Sequence, residues 1–235
     1  MKKVLFAVIA FSFLLPAGIG QTPEFKKFEI TGGLGITQMF SDIGGYSRGE
    51  NLLGLKDFSF RHTRFNISTG ARYRILENVA LRANIALGCL HATDARGSNE
   101  RRAFESKCLF IEPALLGEYY ILTPDISFTS TKGDRFRFKS LLSSLSPYVF
   151  AGIGGFTYHV NPNPALEARA TSTRGFTGII PAGAGVSVNY SDSFNLGMEL
   201  GGRYSFSDDI EGYSSVYSKA NDVYYFLNFT VAYKL

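Results

Sequence analysis

The sequence predicts an all-β protein, an eight-stranded antiparallel transmembrane β-barrel, and three observations lead there. Apolar and polar side chains alternate with period two over eight stretches, most of them ten to thirteen residues long, the pattern of strands with one face in lipid and one in a lumen. The connections between these stretches alternate between short and long. The composition is rich in Phe (21), Tyr (13) and Gly (25), contains no Trp and is only 19% charged, yet mean hydropathy is near zero at +0.03. High aromatic content and low net charge exclude a disordered chain. Beyond the first twenty residues no run reaches the roughly 18 apolar residues of a spanning helix, which excludes a polytopic helical protein.

The N-terminus reads as an export signal. Lys2 and Lys3 precede a twelve-residue apolar run at 4–15, followed by Pro16-Ala17-Gly18-Ile19-Gly20 and Gln21. A positive start, a short apolar run and small residues at −3 and −1 predict cleavage between Gly20 and Gln21. The expected organisation is therefore a signal peptide at 1–20 and the barrel at 21–235. Lys2 and Lys3 leave with the signal, so the formal charge of +4 falls to about +2. There is no basic run of the kind a nucleic-acid binder carries.

The strands follow in order. Phe28–Phe40 sets Glu29, Thr31 and Thr37 on its polar face. Arg64–Leu76 is the clearest, with Phe65, Ile67, Thr69, Ala71, Tyr73 and Ile75 opposite Asn66, Ser68, Gly70, Arg72 and Arg74. The third sets Val79, Leu81, Ala83, Ile85 and Leu87 against Arg82, Asn84 and Gly88, and the fourth, at 109–121, sets Leu109, Ile111, Leu115 and Tyr119 against Glu112 and Glu118. At 147–160 the strand is clear but its phase stays open, because Tyr148, Phe150, Phe156 and Tyr158 compete with Val149 and Ile153. Three more follow at 179–190, 194–206 and 225–235, with Glu199, Arg203 and Lys234 on polar faces.

Two connections are tight, Glu77-Asn78 and Ser191-Asp192-Ser193, whereas 41–59, 91–107, 161–175 and 207–222 are long and polar. Short turns at one end and long loops at the other are the pattern of outer-membrane barrels. The connection at 122–146 breaks the rule, being long on the short-turn side, with a basic stripe of Lys132, Arg135, Arg137 and Lys139. A strand-built membrane protein must close on itself, because lipid satisfies no backbone group. Eight strands leave an interior just wide enough for side chains. Glu29, Glu112, Glu118 and Glu199 would share it with Arg72, Arg74, Arg82, Arg203 and Lys234, a lumen charge network that plugs the barrel.

Few residues invite catalytic chemistry. His62, His91 and His159 fall near loop ends without metal-binding spacing, and read as strand-end or exposed loop histidines. The Gly-x-Gly pairs 33/35, 152/154 and 183/185 lie inside strands, where they cannot be phosphate loops and instead make room for bulky lumenal side chains. Asp208, Asp209 and Glu211 read as a solvated loop tip. Cys89 and Cys108 flank one loop and would staple it if bridged, but their phases place Cys89 outward and Cys108 inward, so a bridge requires a bulge. The expectation is no enzyme, no metal, no cofactor and no small-molecule substrate.

Three blocks carry a family resemblance. Ser146-Pro147-Tyr148-Val149-Phe150-Ala151-Gly152-Ile153-Gly154 with Asn161-Pro162, then Ile180-Pro181-Ala182-Gly183-Ala184-Gly185-Val186, then Asn195 to Asp208 with Gly201-Gly202-Arg203-Tyr204 at its centre, resemble PorG-type outer-membrane barrels. Phe40-Ser41-Asp42-Ile43-Gly44-Gly45 is similar to an element of that family's first loop. The chain departs from the pattern at its end, Tyr233-Lys234-Leu235, where a terminal Phe is usual, and in its short third loop. The resemblance implies an accessory component of the type IX secretion system that tethers a periplasmic ring of PorK- and PorN-like proteins to the outer membrane. Expected partners are therefore outer-membrane lipid and those ring proteins. The alternatives are an adhesin-like barrel acting through its outer loops and, behind it, a lipid-modifying enzyme.

Overall fold

In a computed structural model, described over residues 27–44, 60–95, 99–122, 144–191, 193–214 and 221–235, the chain closes into one barrel. The strands are β1 (Phe28–Phe40), β2 (Arg64–Leu76), β3 (Val79–Thr93), β4 (Glu105–Tyr120), β5 (Leu145–Pro162), β6 (Arg174–Asn189), β7 (Phe194–Ser205) and β8 (Val223–Lys234), with one short helix, α1 (Pro164–Glu167). Each strand pairs antiparallel with the next, and β1 pairs with β8 to close the sheet. Closure removes both sheet edges and satisfies the backbone without water. The predicted export signal and its cleavage point at Gly20 and Gln21 lie outside the described residues.

The outward face is a band of exposed apolar side chains. Leu34, Ile67, Ile85, Ile111, Leu115, Ile153, Leu200 and Phe229 fill its middle. At the end of the short turns and the strand termini, here the inner end, stand Phe28, Tyr73, Tyr119, Tyr190, Phe194 and Tyr233. At the outer end stand Phe65, Phe176, Tyr204, Phe206 and Tyr225. Two aromatic girdles flanking an apolar band are the signature of a barrel spanning a bilayer.

Pairing settles the phase of β5. Tyr148, Phe150, Phe156 and Tyr158 are buried in the lumen, while Val149 and Ile153 face out. The Gly positions of β6 and β7 accommodate these rings. A side chain at Gly183 would meet Phe150 at 2.6 Å, and one at Gly185 would meet Tyr148 at 2.5 Å.

At the outer end β3, β4, β5 and β6 run further than the alternation predicts, to Thr93, Glu105, Pro162 and Arg174. Crossing a bilayer takes roughly 9–11 residues, and β5 has 18. Above the lipid the outward face no longer needs apolar residues, so the ladder continues where the sequence pattern fades.

Candidate functional site

The lumen and the outer mouth hold most of the buried polar chemistry. In the inner half of the lumen, charged side chains form a continuous chain. Glu29 on β1 contacts Arg72 at 2.8 Å and Arg74 at 3.0 Å, both on β2. Arg72 reaches Glu118 on β4 at 2.7 Å, and Glu118 meets Arg82 on β3 at 2.8 Å. Arg82 then spans the lumen to Glu199 on β7, with Nη1 and Nη2 donating to its two carboxylate oxygens at 2.6 and 3.1 Å. Tyr120 donates to Glu118 and Tyr148 to Glu199. A second pair lies apart from this chain. Arg203 donates to Glu112 at 3.3 Å, and the Tyr224 hydroxyl donates to the other oxygen of Glu112 at 2.7 Å. Lys234 stands near the inner mouth, where its Nζ donates to Asn189 at 3.2 Å.

Buried ions require paired charges and satisfied hydrogen bonds, and each carboxylate in these two networks has both. The period-two reading placed all nine charged residues on the inward face. What it missed is the aromatic block that accompanies them. Phe110, Phe156, Tyr224 and Phe226 pack as one cluster in the outer half of the lumen, with the Arg203 guanidinium 3.9 Å above the Phe226 ring. Those residues sit at inward positions of β4, β5 and β8, so position against phase, not residue type, was the available signal.

Above the aromatic block, the described residues of the outer loops pack against one another as a cap. Arg102 joins Asp94 at 2.7 Å, donates to the carbonyl of Asp42 at 2.8 Å, and stacks on Phe104 and Tyr213. Asp94 also accepts from the amide of Gly44 at 2.8 Å. Asn163 caps α1 and donates to the carbonyl of Ala103, and the amide of Thr171 donates to Gly212. The amide of Ile43 donates to Glu211 at 3.1 Å, and that of Ile210 to Asp222 at 3.0 Å. Ile43, Ala92, Phe104 and Leu166 form the apolar centre of the cap.

Two sequence readings, those of Glu211 and of the histidines, change here. Glu211 is fully buried instead of solvated at a loop tip, because the cap folds it beneath the first loop. Burial and the neighbouring carboxylate of Asp222 push Glu211 well above its ordinary range, and burial pushes Asp222 up to about 8. His62 and His91 are buried at 5% exposure, and only His159 faces out in the open. Cys89 and Cys108 are unbridged. Cys89 pairs with Leu109 and Leu90 with Cys108, so the two thiols occupy opposite faces of the wall and no bulge joins them. The basic stripe Lys132, Arg135, Arg137 and Lys139 lies outside the described residues. Among those described, no group of His, Cys, Asp or Glu is placed to hold a metal ion.

Residues 126–234 match the family described as a domain of unknown function, DUF6089. No curated protein matches the sequence. Among solved structures, the chain is similar to Neisserial surface protein A (NspA) at 15% identity, covering 88% of this chain and 97% of that one with a TM-score of 0.45. OprG from Pseudomonas aeruginosa is similar at 11% identity, 89% and 95% coverage and a TM-score of 0.43. The attachment invasion locus protein Ail of Yersinia pestis gives 11%, 88% and 97%, with a TM-score of 0.42.

Proposed function

We propose that this barrel is a non-enzymatic structural component of the type IX protein secretion machinery, and that it tethers a periplasmic ring to the outer membrane. The observation that carries the reading is a lumen filled with paired charges and aromatic rings beneath a packed loop cap. Such a barrel is suited to anchoring, not to conducting solutes or holding a substrate. The PorG-type sequence blocks support the choice of pathway. The long connection between β4 and β5 supports the direction of docking, because it leaves the barrel at the inner end, where β2–β3 and β6–β7 turn within a few residues. Its four basic side chains would meet an acidic surface of PorK- or PorN-like ring proteins.

The test replaces residues 122–146 with a two-residue turn. The expected outcome is a barrel that still reaches the outer membrane while export of secreted cargo stops. Normal export from that variant contradicts the reading.

A further inference from the structure

We propose that the outer rim of β4–β6 is a binding site for a phosphorylated lipid of the outer leaflet, with Lys107, His159 and Arg174 as its headgroup contacts. The ladder brings these residues together on the outward face. His159 pairs with Leu109 of β4 on one side and with Arg174 of β6 on the other. Lys107 lies two residues above Leu109 on the same face, opposite Asn161. Its side chain is 65% exposed, with Glu105 at 3.9 Å, near the limit of an ion pair. Arg174 donates from Nε to His159 at 3.1 Å and is itself exposed.

The level of this cluster decides the occupant. Directly below it on the outward face are the first lipid-facing residues, Leu109, Ile111 and Phe176, so the positive charges stand where headgroup phosphates begin. A shallow groove of about 770 Å³ descends from the cluster between Phe65, Leu87, Leu109 and Ile111, with the small side chains of Cys89 and Thr157 among them and His159 and Arg174 lining it. A groove of that shape accepts an acyl chain whose phosphate rests on the bases. Of the nearby acids, Asp209 receives the lumenal Tyr158 hydroxyl and Glu211 and Asp222 are buried in the cap, while Glu105 stays on the outward face beside Lys107. A basic side chain is attracted to an anionic membrane surface, and an arginine fork matches phosphate geometry.

Native mass spectrometry of the intact barrel tests this, using phosphorylated lipid A and the same lipid A after enzymatic dephosphorylation. Wild type is expected to retain the phosphorylated form about tenfold better, equivalent to ~1.4 kcal/mol. Lys107→Gln combined with Arg174→Gln is expected to abolish that preference while circular dichroism confirms an unchanged barrel. Equal retention of the two lipids by wild type, or a preference that survives in the double variant, overturns the proposal. Displacement of the lipid by millimolar inorganic phosphate also overturns it, since the site would then serve a soluble anion.

Discussion

Arg82 is the hub of the lumen, because it is the only described side chain in contact with both Glu118 and Glu199. Replacing it with Ala leaves two buried carboxylates short of their counter-charge, and breaking a buried pair in this way costs about 3–5 kcal/mol. Lys234 donates a charge-assisted hydrogen bond to the neutral Asn189 near the inner mouth, so Lys234→Ala should cost less, about 1.5–3 kcal/mol at most. Urea unfolding in lipid vesicles, followed by far-ultraviolet circular dichroism, should rank the two variants in that order; equal losses would mean that the charges act independently of the chain they form. Gly44 is a second sensitive point. Its φ of +83° is left-handed, and a Cβ there would stand 2.4 Å from the Thr93 carbonyl. Glycine alone adopts that geometry without strain, so Gly44→Ala should open the cap to protease while the strands stay protected.

At the scale of elements, legibility followed the lipid. Where both faces of a strand are constrained, as in β2 and β7, alternation defined the strand and its phase. β5 was ambiguous because aromatic rings suit lipid and lumen equally, and only the glycines facing them on β6 and β7 decide which side they occupy. The outer ends of β3–β6 were illegible because solvent imposes no pattern there. The cap was illegible for a different reason: Glu211 is buried by contacts with the first loop, 168 residues away in sequence. That burial has a measurable consequence. Asp222 takes up its proton near pH 8 instead of near 4, and Glu211 is displaced in the same direction. The folded cap therefore holds more protons than the open loops between about pH 4 and 8, and linkage makes its stability fall as pH rises through that window. The facing charges are Asp42, Asp208 and Asp209, with Arg102 bound to Asp94 on the opposite loop. Protection factors at the amides of Ile43 and Ile210, corrected for the intrinsic pH dependence of exchange, should fall across this range in wild type and change less in Asp222→Asn; protection that does not vary with pH would refute the assignment.

Over its described residues the molecule is a barrel with a lipid-facing exterior, an interior filled with charged pairs and aromatic rings, and outer-loop residues packed above them. The neutral mean hydropathy is the average of these two faces, and only their alternation discloses a membrane protein. In planar bilayers the reconstituted barrel should give no stable conductance steps, and regular channel openings would contradict the filled lumen. Which machinery the barrel serves is a question about its partners. It is answered most directly by purifying a tagged full-length chain from detergent-solubilised outer membranes and identifying what accompanies it. The tether reading predicts periplasmic ring proteins in constant proportion to the barrel, and their loss when residues 122–146 are replaced by a tight turn. Recovery of the barrel without ring proteins, under conditions that keep the ring itself assembled, would contradict it.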